Sequence, residues 1–519
     1  MSKIIITGSI LILSLGLASC KKTAENESVS MPQTFVKALY SEPLTYDPIK
    51  MNDTASLVFS NLIYDGLLKF SPYMEIKPSL AESWQTDESG KNIKFTLRSN
   101  ALFHNGGPVK AIDVVYSFTR AVSKESTVYK YYDCIEGATE YHDGKAKTVI
   151  GLQALNDKTV LIKLKYPFPP FLSVLAGGSA KILPHDLVKD PNFFKAPVGA
   201  GAYKFVSTSK VGGQTDVTLS KFEKYYADVK LDKIVLRAVD EKIAHAQAAK
   251  GEIQDLANFP LMGTEAIFKA GKKVDSPAAW TWIIGMNSRL TPFKDKNVRI
   301  AFSQSVDTEK FRKTFYPDAI PAYGYVPPGM PGYKIKADPK ENVNIAIPKD
   351  KIKILFPSEL AQQKEMRAFI EANLKEHGWN VEVVASDWAT LMKGYDNKTL
   401  QGFVVAMNID YPDTEFLARN FESTNPDNFS GLKDPQIDSL LHKARLTQDR
   451  IERDKIYAKV MGLIDDATVS VNLFHPRSHY WISNCVLGFE PNLLSDVYID
   501  YAQVSLKKNC DTSQLEAAR

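Results

Sequence analysis

The chain has 519 residues, with 64 Lys+Arg against 60 Asp+Glu, a formal net charge of +4, four cysteines and 44% hydrophobic residues. At about 150 residues per domain, this length predicts two to four domains and a core large enough to fold without disulfide or metal staples. So mild and dispersed a charge excludes a dedicated nucleic-acid binder, and 24% charged with 11% aromatic residues excludes a disordered chain.

Lys3 is the only charge before Cys20, and Ile4 to Leu17 is apolar apart from small or hydroxyl residues. A basic start, a short apolar run and small residues describe a secretory leader over 1–19, and about 14 apolar residues fall short of the roughly 20 that span a bilayer. Leu17-Ala18-Ser19-Cys20 resembles the lipobox of bacterial lipoproteins, which implies that Cys20 is acylated and becomes the mature N-terminus. Residues 20–33 then form a lipidated polar tether with a reach of roughly 15–20 Å. The expectation is a body outside the cytoplasm, anchored to a bacterial membrane at its periplasmic or cell-surface side. Of Cys134, Cys485 and Cys510, at most one pair can bridge; Cys485 with Cys510 is conceivable, but separation alone does not decide it.

Ile93, Phe95 and Leu97 alternate with Lys94, Thr96 and Arg98, and Val160, Ile162 and Leu164 alternate with Leu161, Lys163 and Lys165. Period two predicts half-buried strands, the second opened by a turn at Asn156-Asp157. Pro327-Pro328-Gly329-Met330-Pro331-Gly332 reads as a rigid, exposed connection, either a loop within a lobe or a hinge. Ile352 to Phe356 predicts a strand. Met366, Phe369, Ile370 and Leu374 predict a helix with Ser358 as N-cap and Gly378 just past its end, and Val381, Val383 and Val384 predict another strand. This is a βαβ unit, hence a parallel pair with a right-handed crossover. Two amphipathic helices follow, one on Ile437, Leu440, Leu441 and Ala444, the other on Ile456, Val460, Leu463 and Ile464. The fold class is mixed α/β with several sheets.

Pro78-Ser79-Leu80-Ala81-Glu82-Ser83-Trp84, then Phe95-Thr96-Leu97-Arg98, then Phe103-His104-Asn105-Gly106-Gly107-Pro108-Val109-Lys110-Ala111-Ile112-Asp113-Val114 form a signature. It resembles that of bacterial extracellular solute-binding proteins of family 5, the oligopeptide- and dipeptide-binding receptors of ABC importers. Tyr46-Asp47-Pro48, Ile63-Tyr64-Asp65-Gly66-Leu67, Pro197-Val198-Gly199-Ala200-Gly201-Ala202-Tyr203, Gly251-Glu252-Ile253 and Val298-Arg299-Ile300-Ala301 agree in order. Asn105, Ala200 and Ala202 depart from the family's usual Asp, Thr and Pro. Most of these residues read as scaffold, with Trp84 an apolar anchor and 105–108 a turn. The resemblance implies a periplasmic-binding-protein type II-like fold of two lobes, a hinge and three domains. Lobe I is expected from 34–64, 199–284 and 477–519, an inserted domain II from 65–198, and lobe III from 285–476.

The same resemblance implies the site. In Ala406-Met407-Asn408-Ile409-Asp410-Tyr411-Pro412, Asp410 matches the acidic residue that pairs with a peptide's α-ammonium, as a carboxylate shielded from water; the alternative is a carboxylate capping the turn before Pro412. Ala406, Met407 and Asn408 match the backbone that pairs with an extended peptide, which suits any peptide sequence. Asn52, Asp53 and Thr54 match the facing wall, with Asn52 replacing a family acid. Trp388 matches a family pocket tryptophan, Tyr129 lies where a family tyrosine reaches the cleft and Phe474 corresponds to a tyrosine-rich strand; the alternative for each is a core or surface aromatic. The Arg and His that some long-peptide binders of the family use for the ligand carboxylate are replaced by Val404, Tyr395 and Asp396, which leaves Lys393 and Lys398 as candidates for the ligand's C-terminus, the alternative being solvated lysines.

Enzyme motifs are missing: there is no GxSxG, HExxH, phosphate loop or GxGxxG, and Pro476 interrupts His475 and His479 as a metal pair. The expectation is a monomeric transport receptor with no cofactor and no nucleic-acid partner. It would take short peptides with a free amino group and deliver them to ABC permease subunits. The same scaffold could instead hold a nickel chelate, haem, a sugar or an opine, or serve as a surface lipoprotein in adhesion or signalling.

Overall fold

The computed structural model describes residues 33–257, 259, 267–338 and 343–507. The expected leader, Cys20, most of the tether and Cys510 lie outside the described residues. Cys485 is disulfide-bonded and Cys134 is a free, buried thiol.

Three larger sheets carry the architecture. The first runs Thr34–Leu39, Lys233–Ala238, Gln214–Lys221, Tyr203–Val211, its first pair parallel and the others antiparallel. Bridges from Asp255 to Lys37 and to Ile482 join it to the antiparallel pair Gly271–Pro277 and Arg477–Ser483. The second sheet is antiparallel and runs Ala81–Thr86, Asn92–Leu97, Thr159–Lys163, Leu152–Asn156. Here the period-two reading holds: Ile93, Phe95, Leu97, Val160, Ile162 and Leu164 are all buried, and Asn156 ends one strand just before the turn into the next.

The third sheet has six strands, in the order Ile320–Pro321, Ser470–His475, Trp280–Met286, Gly402–Asn408, Ile352–Pro357, Val381–Ser386. Its last two strands are parallel and are linked by helix Gln363–Glu376, which buries Met366, Ile370 and Leu374. Gly378, at φ +85°, ends that helix as expected. Ser358 does not begin it. Its N–H donates to the Ser386 carbonyl at 2.9 Å and prolongs the strand pairing, so the helix starts behind Gln362 instead. The two amphipathic helices are Pro435–Leu446 and Arg450–Ala467, capped by Asp434 and Asp449. The proline-rich segment is less exposed than expected. Val326 and Met330 are buried in the core of this sheet's helical face, and Thr414 donates to the Pro331 carbonyl at 2.8 Å. It is a loop within one lobe.

The chain passes between the first and third sheets at 278–279 and again at 476, where the Ala278 N–H donates to the Pro476 carbonyl at 3.0 Å. Trp280–Met286 already pairs with strands on both sides, so the third sheet takes up the chain ahead of the 284/285 boundary expected for lobe III. The signature turn at Asn105-Gly106-Gly107-Pro108 is closed by its own backbone, and Asn105 and Gly106 are exposed. No described helix is long and apolar enough to cross a membrane.

Candidate functional site

A cavity of about 550 Å³ opens where several stretches of chain converge, among them 127–131, which supplies Tyr131. The first is the start of helix Thr54–Ile63. Its N-cap is Asp53, whose Oδ1 accepts the Ser56 N–H at 2.8 Å, so Asn52, Asp53 and Thr54 are delivered to the cavity wall. The motif residue Asp47 braces this corner from behind, receiving both guanidinium nitrogens of Arg120 at 2.8 and 3.1 Å. The second stretch is the end of strand Gly402–Asn408, which brings Asn408 and Asp410 to the wall, with Trp280 paired to Asn408 on the neighbouring strand. The third is the loop Gly177-Gly178-Ser179, whose Gly178 N–H donates to the Tyr498 hydroxyl at 3.1 Å. The fourth is the C-terminal run containing Leu494, Ser495, Val497 and Tyr498.

Asp410 is exposed rather than shielded, and the Tyr131 hydroxyl donates to its Oδ2 from the opposite wall. Burial, reinforced by the Asp410 charge, drives the Tyr131 phenol well above its ordinary pKa, so it remains a donor. Burial and the same carboxylate push Tyr498 up to about 12, against the Gly178 N–H. Among the described residues the Asp410 carboxylate is seen bonded across the cavity to Tyr131 rather than to the turn before Pro412; the turn after it is held by Asp413, whose Oδ1 accepts the Glu415 N–H at 2.9 Å.

The expected residues divide. Asn52, Asp53, Thr54, Asn408 and Asp410 meet at one cavity. Met407 is buried in the core and Ala406 is half-buried, both in strand pairing with Thr281 and Trp282, and neither side chain lines the cavity. Their backbone has an unpaired side, because the ladder to Ile352–Pro357 ends at Phe403 and leaves 404–408 without a second ladder partner among the described residues. Tyr129 turns inward: its hydroxyl donates to Thr139 at 3.1 Å and its ring stacks on His142 at 3.8 Å, so the cavity tyrosine is Tyr131. Phe474 is 1% exposed, stacked on Tyr316 in the core of the six-stranded sheet. Trp388 is surface-exposed at the start of helix Trp388–Asp396 and does not line the cavity. Lys393 and Lys398 are also absent from its lining; Lys398 sits over the Tyr395 ring at 5.0 Å. His475 is buried against Thr281 at 2.9 Å, while His479 is held by Asp275 and Asp318. Among the described residues no cluster of His, Cys, Asp or Glu is placed to hold a metal.

Sequence reasoning missed Trp280, Ser495 and Tyr498. Trp280 carries a buried indole Nε1 with no hydrogen-bond partner among the described residues. Ser495 holds φ 144°, a conformation costly for any residue but glycine. Such a strained, non-glycine residue on a cavity wall is a functional signal, but it becomes visible only in three dimensions.

Residues 75–429 match the model for the middle region of bacterial extracellular solute-binding proteins, family 5. The dipeptide-binding protein DppE of Bacillus subtilis is 24% identical over 481 residues, spanning 85% of this chain and 88% of that one. The oligopeptide-binding protein OppA of the same organism is 24% identical over 519 residues, spanning 92% and 94%. The unliganded open form of the periplasmic murein tripeptide-binding protein MppA superposes with a TM-score of 0.80 at 20% identity, covering 92% of this chain and 97% of that one. The fold is thus the multi-domain, type II-like α/β architecture of periplasmic binding proteins, and the cavity lies between its lobes. The chain belongs to family 5 of the bacterial extracellular solute-binding proteins, of the oligopeptide- and dipeptide-binding type: an extracytoplasmic substrate-binding component of an ABC importer and not an enzyme.

Proposed function

We propose that the chain is a lipid-anchored receptor that captures short peptides by their free amino terminus and hands them to the permease of an ABC importer. The observation that carries this reading is Asp410: an exposed carboxylate in an interlobe cavity, with Tyr131 reaching it from the facing wall. A carboxylate so placed takes an ammonium and, being only partly satisfied by one phenol, keeps acceptor capacity for it. The unpaired strand side at 404–408 supports main-chain pairing with an extended ligand. The unpartnered indole N–H of Trp280 supports a further contact to a peptide carbonyl.

The test is thermal stabilisation of the purified mature chain. Short peptides with a free amino group raise the melting temperature. N-acetylated versions, or any peptide added to Asp410→Ala, give a much smaller shift. Equal stabilisation by acetylated and free peptides removes Asp410 from this role, and a co-purified ligand with no amino group turns the reading toward a non-peptide cargo. The anchor has its own test: Cys20→Ala moves the chain from the membrane fraction to the soluble fraction of a native host.

A further inference from the structure

The cavity has an unbalanced charge. Two carboxylates line it, Asp53 and Asp410, and among the described lining residues there is no lysine, arginine or histidine. A peptide with neutral side chains brings one ammonium and one carboxylate. Its ammonium answers Asp410, but its carboxylate finds no cation in the cavity and Asp53 is left uncompensated.

The positive groups nearby stand outside the cavity. Arg120 is bound bidentately by Asp47, and Lys37 by Asp255 and Asp496. Arg419 stands in a neighbouring cavity of about 220 Å³ that Tyr131 also lines, its guanidinium over the Phe416 ring at 4.6 Å; from there it feels the charges of Glu415 and Asp410 and offsets Asp410 in part, but not Asp53. Asp53 shows the complementary deficit. Its Oδ1 serves the helix cap, whereas its Oδ2 is buried with no hydrogen-bond partner among the described residues. A buried carboxylate oxygen left unpaired is costly, and the group that answers it best is a cationic donor.

Building on the peptide reading of this site, we propose that Asp53 is a second cation-binding residue and that the preferred ligands are basic peptides, with a lysine or arginine side chain for Asp53 as well as a free amino terminus for Asp410. The ligand's carboxylate then lies outside the cavity, where solvent meets it.

Calorimetric titration of the mature chain with tri-alanine, with its three single-lysine variants and with Ala-Glu-Ala tests this. At least one lysine peptide should bind about tenfold or more tighter than tri-alanine, and Ala-Glu-Ala about tenfold weaker. In Asp53→Asn, which keeps a good helix cap, the lysine-to-alanine affinity ratio should collapse to within about twofold. The wild-type comparison stands even where that variant folds poorly. If no peptide binds, tri-alanine included, the peptide reading itself falls. If tri-alanine binds and lysine adds nothing, or if the lysine advantage survives in Asp53→Asn, the inference about Asp53 is overturned while the peptide reading stands.

Discussion

Lys37 lies fully buried in strand Thr34–Leu39 with two carboxylates on its ammonium, Asp496 at 2.9 Å and Asp255 at 3.1 Å. Burial alone would lower its pKa; the two charges outweigh that and raise it. The bond to Asp496 holds the residues on either side, Ser495 and Val497, which wall the cavity. Lys37→Met strands two buried charges, so unfolding in urea should show a loss of about 3–5 kcal/mol; a loss below about 1 kcal/mol would mean that the triad relaxes freely. Asp413 runs the other way. Burial pushes its carboxyl from 3.8 up to about 6, against the pull of Arg453. The unfolded chain has lost this proton by pH values at which the folded chain still holds it, so stability falls as pH rises between those two values. Asp413→Asn cannot titrate. Its stability relative to wild type should therefore improve by up to about 3 kcal/mol between about pH 4 and pH 6, read from urea midpoints at both; an unchanged difference would show that Asp413 ionises freely in the fold. At this scale the motif brings Asp410 to the cavity wall, though exposed where a shielded carboxylate is expected. The sequence is not readable where geometry alone decides. Tyr129 and Tyr131 share one short turn, and only the turn's handing of side chains sends Tyr131 to the cavity.

Elements were more legible than residues, because periodicity survives without tertiary knowledge. The βαβ unit and the helices on Ile437 and Ile456 follow from spacing; the late start of helix Gln363–Glu376 does not, since Ser358 is an equally good cap and loses only to the strand pairing it extends. The C-terminal run 494–498 has no period at all, and its place on the cavity is set by distant partners: Asn61 donates to the Val497 carbonyl at 2.7 Å. Helix Thr54–Ile63 links a motif to the site. Gly201 packs on its last turn, its N–H donating to the Ile63 carbonyl at 2.8 Å, and a Cβ there would come within 2.6 Å of Leu62 and Ile63 backbone atoms. The glycines of Gly199-Ala200-Gly201 thus permit a backbone contact that seats this helix and, at its other end, Asp53. Gly201→Ala should cost about 1–3 kcal/mol or more and weaken peptide binding with it, measured by thermal melts and calorimetry on the same preparation. Weakened stability with unchanged affinity would separate the motif from the site.

At the scale of the whole molecule, the lobes meet at the candidate site and in the packing beside it, where Tyr411 joins the buried core built on Phe95 and Phe118. Tyr131 and Asp410 stand on opposite walls, so their hydrogen bond spans the cleft, while the chain crossings at 278–279 and 476 are bonded to each other. A bond to a charged acceptor contributes about 1.5–3 kcal/mol, enough to move a closed population by tenfold or more when the lobes are nearly balanced. An ammonium entering the cleft adds a second link to the same carboxylate, so ligand and tyrosine favour the closed arrangement together. Tyr131→Phe deletes the first link and keeps the ring. Without added peptide, its small-angle scattering should report a larger radius of gyration than wild type, and saturating peptide should bring the two together at a higher apparent Kd. Identical scattering from both proteins without peptide would assign closure to the ligand alone. A variant that stays expanded at saturation would make the phenol a structural part of the closed cleft, beyond its part in the balance.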